Sequence, residues 1–259
     1  MFVKRLAVII VGEYRTWDIC AKYFFNRFES RASQIDYFFV TWDKSLDLTN
    51  PSTPVYRTVT DEDVTKHFAE HQLVNYKIVP ADDYENTHTY YIKAYLSKIA
   101  NILKREKELA DDFVYDQVIE TRPDIYFYPM SEPGPLSALK NFEVVGGVKD
   151  ATLALCNQGF LTVGDVYQRS TSLTHDLIAN RILDSTADVN RQFLTNLKGH
   201  STHHWLFARH LLSHGIIFHD SADFLNLVPV RFNVDPAWNL DQIPYEQLWR
   251  LFLDGGPVK

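Results

Sequence analysis

The chain opens on an unbroken apolar run, residues 6–11 (Leu-Ala-Val-Ile-Ile-Val), that stops at Gly12. Runs of this kind suit strands buried on both faces, as in parallel sheets. Residues 18–27 follow with Ile19, Tyr23 and Phe24 at helical spacing. A second strand is expected over residues 35–42, β-branched and aromatic, ending at Asp43. Residues 46–54 read as a loop, because Asn50-Pro51 and a second proline break any regular pattern. Thr60 then caps a helix whose first residues, Asp61, Glu62 and Asp63, suit the positive end of a helix dipole. A short third strand is expected over residues 76–79.

The longest helix is expected over residues 90–109, with Tyr91, Tyr95, Ile99, Ile102 and Leu103 as its core-facing stripe. Next comes a strand over residues 114–120, the segment Thr121-Arg122-Pro123-Asp124, and an aromatic strand over 125–128. Beyond Pro129 the pattern becomes mixed. Short strands are expected at 143–145, 160–163, 216–218 and 228–230, with helices around 166–182 and 202–213. Alternating strands and helices predict an α/β nucleotide-binding sheet in the first half. The whole reads as one domain over residues 1–259, with a nucleotide-sugar-binding half (about 1–129) and an acceptor-side half (about 130–259). No Gly/Ser-rich or Pro-rich linker divides the 259 residues, and there is no internal repeat.

Composition narrows the function classes. A formal net charge of −7 leaves no basic footprint for nucleic acid. The mixed-sign run 104–108 (Lys-Arg-Glu-Lys-Glu) reads as a solvated helix end. Two cysteines, Cys20 and Cys156, are too few for a disulfide framework. The opening apolar run is too short to span a bilayer and lacks a signal-peptide cleavage pattern, so a cytoplasmic enzyme with no transmembrane segment is expected. The 14% aromatic content serves a core first, although sugar rings and nucleobases also stack on such side chains.

Ligands of open α/β sheets bind outside the carboxyl ends of the strands, so strand ends are where chemistry is sought. After the first strand comes Gly12-Glu13-Tyr14-Arg15-Thr16-Trp17: Gly12 permits a tight turn, and the planar fork of Arg15 suits phosphate. A single glycine is not a G-x-G-x-x-G fingerprint, which argues against a dehydrogenase or methyltransferase. After the second strand, Asp43 stands where ribose or base contacts are made, although turns use Asp just as readily. The richest strand end is Glu120-Thr121-Arg122-Pro123-Asp124. A diphosphate leaving group needs a divalent cation on carboxylate oxygen or clustered guanidiniums. Asp124 supplies the first and Arg122 the second; a local surface pair is the plainer alternative.

The stretches 90–95 and 115–127, together with 8–17 and 36–43, resemble sugar transferases of bacterial surface-polysaccharide clusters, phages and large viruses. In that family an Arg-x-Asp element after a long helix and strand stands in for the Asp-x-Asp metal motif of GT-A glycosyltransferases. The resemblance implies a single-domain GT-A-like, Rossmann-type fold with a mostly parallel central sheet flanked by helices. It implies a nucleotide-sugar donor, a glycan or other hydroxyl acceptor, and donor contacts at Gly12, Arg15, Thr16, Asp43, Lys98, Arg122 and Asp124. Asp124 would be the ligand of a divalent cation, Mn²⁺ or Mg²⁺, although Arg122 stands where the metal motif has Asp. Related sequences carry a Glu near the start of the late helix, where this chain has Ser201-Thr202-His203-His204-Trp205.

Asp165 and His203 are the candidates for the catalytic base that deprotonates an acceptor hydroxyl, with Asp220 and Asp223 behind them. His210 and His214 have the spacing of a zinc-binding helix, but Leu211 occupies the place of the metalloprotease Glu. Two other readings compete with a transferase: a nucleotide-sugar or glycan-binding module without turnover, and another nucleotide enzyme such as a kinase. No G-x-x-x-x-G-K-[ST] segment exists to support the kinase.

Overall fold

The computed structural model describes residues 3–29, 31–47, 55–81, 89–128, 136–146, 167–180, 210–211, 213–220, 227–230, 239–244 and 247. Its centre is a seven-stranded sheet built from β1 (Val3–Val11), β2 (Ala32–Trp42), β5 (Leu73–Val79), β6 (Gln117–Thr121), β8 (Glu143–Gly146), β9 (Tyr167–Ser170) and β10 (Ile217–Asp220). The strand order is β10-β8-β9-β6-β1-β2-β5. Every neighbouring pair is parallel except the two that β9 makes, with β6 and with β8. Both halves of the chain therefore contribute to one sheet.

The apolar run in β1 is explained by burial on both faces. Leu6, Val8 and Ile10 pack with Tyr37, Phe39 and Ile119 under α1 (Trp17–Phe24). Ala7, Ile9 and Val11 pack with Phe38, Val40 and Val118 under α3 (Thr89–Ala110). Two further two-stranded antiparallel sheets are formed, β3 (Lys44–Asp47) with β4 (Val55–Thr58) and β7 (Ile125–Phe127) with β11 (Leu227–Pro229). α2 (Asp61–Thr65) begins as expected: Thr60 and Asp63 form a reciprocal capping box.

Several expectations are corrected. Part of the 46–54 loop is strand, since Leu46 and Asp47 pair with Tyr56 and Val55. The strand expected from Val114 begins at Gln117, leaving Val114 exposed. The helix expected over 166–182 is instead β9 followed by α4 (Ser172–Ala179). β9 escapes a hydrophobicity reading because its buried residues include Gln168, Arg169 and Ser170. The Arg169 guanidinium donates to the Gln117 side chain at 2.9 Å and to the Ser137 carbonyl at 2.6 Å, so it is hydrogen-bonded inside the fold. The expected strand 160–163 lies outside the described residues, as does most of the helix expected over 202–213.

The expected stripe of the long helix is corrected at one position. Ile99 is in the core and Tyr95 and Leu103 pack against it, but Ile102 is exposed. The side chain of Tyr91 lies outside the description. The innermost positions include Ser97, Asn101, Lys104 and Glu108. Lys104, read as part of a solvated end, is instead wholly buried: its ammonium donates to Ser172 Oγ at 2.5 Å and to Asp176 Oδ1 at 2.9 Å. Burial lowers its pKa, opposed by Asp176 and Glu108. Polar α3–α4 packing breaks the apolar periodicity that the sequence would need to reveal it.

Candidate functional site

In the sheet order, β2 and β5 lie on one side of β1 and β6 lies on the other, so the order reverses between β1 and β6. The carboxyl ends at such a switch point are the usual ligand position in open α/β sheets. Val11 and Thr121 end these two strands, and the turns that leave them carry Glu13, Arg15, Arg122 and Asp124. Asp43 follows the neighbouring β2, so Arg15, Asp43 and Asp124 leave adjacent strands at the same edge.

Arg15 and Asp124, 109 positions apart, are brought together: the Arg15 guanidinium is 3.5 Å from Asp124 Oδ2. Arg122 closes on the same carboxylate with both arms, Nε to Oδ1 at 2.8 Å and Nη2 to Oδ2. Asp124 is only 1% exposed, whereas the Arg122 and Arg15 side chains keep 16% and 30% of their surface. The carboxylate is therefore a buried base on which two solvent-reaching guanidiniums stand. Glu13 adds a second anion, accepting from Arg15 Nε at 2.6 Å. Burial opposes the charge on Arg15, but Glu13 and Asp124 outweigh it and raise its pKa. Arg122 Nη1 and Arg15 Nη2 make no hydrogen bond among the described residues. These are the donors left for a ligand.

The backbone pays attention to Arg15 as well. Its φ of 36° lies in the left-handed region, uncommon for a non-glycine residue. Its N–H donates to the buried hydroxyl of Ser45 at 2.7 Å, so the β3–β4 hairpin holds the turn in that conformation. The hairpin is itself tied down by Arg57, which reaches Asp63 at 3.0 Å and Asp18 at 3.2 Å. Neither Ser45 nor Glu13 was expected in the site. Glu13 sits two positions from Arg15, a visible signal; Ser45 follows from the hairpin alone.

The remaining expected donor contacts have structural employment. Thr16 is buried and its hydroxyl donates to the Val230 carbonyl at 2.6 Å, while Val230 N–H donates to the Asp124 carbonyl at 2.7 Å. Together they fasten the two turns to the end of β11. Asp43 Oδ1 accepts from Ala81 N–H at 2.8 Å, the turn role open to any such Asp. Lys98 is half-buried beside Ser97 on α3. Asp165, His203 and Asp223 lie outside the described residues, and Asp220 is described only as the last residue of β10. His210 turns Nε2 to the Leu177 carbonyl at 3.0 Å, and the His214 ring lies 2.9 Å from the His210 carbonyl.

A divalent cation was expected on Asp124. As arranged, its carboxylate is the counter-ion of two guanidiniums, and a dication at those oxygens would be repelled by both. Among the described residues no group of three or more His, Cys, Asp or Glu side chains is placed to hold a metal ion. No described helix is long and apolar enough to cross a membrane.

Comparison with protein-family models and with curated proteins finds no match to this chain.

Proposed function

We propose that the chain is a glycosyltransferase that takes its sugar from a nucleotide-sugar donor and passes it to a hydroxyl of a glycan or other acceptor, on a GT-A-like fold. The observation that carries this reading is the convergence of Arg15 and Arg122 on Asp124 at the switch point of the sheet. The resemblance of the Arg-x-Asp segment to sugar transferases supports it. In the reaction the acceptor oxygen bonds to the anomeric carbon as the bond from that carbon to the diphosphate oxygen breaks. The diphosphate leaves with the electron pair, and the hydroxyl proton passes to a base. Guanidiniums at the diphosphate stabilise the charge that develops on it.

The test is incubation with a panel of uridine, guanosine and thymidine diphosphate sugars, with hydroxyl acceptors, followed by mass spectrometry. Release of a nucleoside diphosphate, lost in Arg15→Ala, is the expected outcome. Failure of every nucleotide and nucleotide sugar to bind would remove the reading. A nucleotide-sugar-binding module on the same fold is the second reading, favoured by one fact: both carboxylates described at the site, Glu13 and Asp124, are paired with arginine. Binding without turnover or hydrolysis would select it.

A further inference from the structure

We infer, resting on the nucleotide-sugar reading, that Arg15 and Arg122 bind the donor's diphosphate without a divalent cation, with Asp124 as their buried counter-ion and Glu13 as the internal anion the diphosphate displaces. Three features carry this. Both Asp124 oxygens face guanidinium nitrogens, so the position of a metal ligand is already occupied by positive charge. Each guanidinium retains a terminal nitrogen with no hydrogen-bond partner among the described residues. The third is the charge balance. Among these four groups, two guanidiniums against Asp124 and Glu13 are formally neutral, and departure of Glu13 leaves one net positive charge on the set.

Glu13 and Asp124 differ in the way this exchange requires. Asp124 is buried and held by the bidentate fork of Arg122, the geometry that fixes orientation most firmly. Glu13 has a side chain 21% exposed and meets Arg15 at the Nε edge, not through a bidentate fork. A phosphate oxygen presented to Arg15 competes with the carboxylate that is easier to rehydrate. Asp124 stays in place and keeps the two guanidiniums aligned for bidentate contact.

Isothermal titration of the intact chain with UDP, with GDP and with inorganic pyrophosphate, in EDTA and in MnCl₂, tests the inference. Binding in EDTA no weaker than in MnCl₂ is expected. Arg122→Lys should weaken it at least about tenfold, since a charged hydrogen bond and the fork are lost. Glu13→Gln, at a partly exposed position that leaves folding unthreatened, should tighten it several-fold. Binding that requires MnCl₂ overturns the cation-free clamp and leaves the donor-site reading standing. Tighter binding without Glu13 but strict Mn²⁺ dependence also overturns it. Absence of binding in both buffers, with nucleotide sugars silent as well, overturns both.

Discussion

A Cβ added to Gly12 would stand 3.2 Å from Pro123 Cδ and 4.0 Å from Arg122 Cγ, so the turns that leave β1 and β6 touch through a glycine. The φ of Gly12, 145°, is also one that L side chains rarely adopt. Gly12→Ala therefore meets strain and crowding together, and should cost about 1–3 kcal/mol of folding stability by chemical denaturation. The shift of the Arg122 turn should also weaken nucleotide affinity. A variant with wild-type stability and affinity would show that the two turns move independently.

Arg15 offers a way to separate chemistry from backbone. Arg15→Ala should weaken donor binding by about 1.5–3 kcal/mol, the scale of a charged hydrogen bond. Arg15→Gly should lose the same binding but be the more stable of the two, by about 0.5–1 kcal/mol, because φ of 36° is strained for alanine and free for glycine. Titration calorimetry and urea unfolding of the pair check it. Unchanged affinity in both would make Arg15 a surface residue.

Much of this was legible before the fold. Apolar runs located β1, β2 and β6, and the ends of β1 and β6 located Gly12, Arg15, Arg122 and Asp124, because a parallel sheet collects its carboxyl ends at one edge. What stayed hidden was polar burial. β9 carries Gln168, Arg169 and Ser170 inside, and α3 turns Lys104 and Glu108 inward, so neither shows the periodicity by which burial is read. The burial of Asp124, 1% exposed, was hidden as well. Val230, 106 positions later, donates to its backbone carbonyl, a contact no local pattern announces.

His175 predicts a pH response. Its ring is fully buried, with Nε2 3.0 Å from Glu120 Oε2 and Nδ1 2.9 Å from Asn101 Oδ1. Burial lowers its pKa, aided by Lys104 and opposed by Glu120 and Asp176. A base with a depressed folded pKa contributes stability above its unfolded value of 6.5 and loses it as pH falls towards the folded value. Wild-type stability should therefore decline below that pH, and His175→Gln should show a shallower decline. His71, also lowered by burial, remains in the variant, so the slope should not vanish. Parallel pH profiles for the two proteins would mean His175 is charged in the fold.

The last prediction concerns what Asp124 does when its charge is removed. With 1% exposure and two guanidiniums on its oxygens, Asp124→Asn gives Arg122 and Arg15 a neutral partner at a buried position. The variant should lose about 1–3 kcal/mol of stability, the usual cost of depriving a buried polar group of its partner. Arg122→Gln alone should cost less, since Arg15 continues to serve the carboxylate. The double variant should then be less destabilised than the sum of the two, by about 0.5–3 kcal/mol, because one ionic contact cannot be lost twice. A double-mutant cycle by urea denaturation measures this. If the two losses add, Arg122 and Asp124 are not coupled in solution, and the carboxylate is open to another partner, a metal ion included. If they couple and nucleotide affinity in EDTA falls with Asp124→Asn, the carboxylate acts through the guanidiniums it aligns.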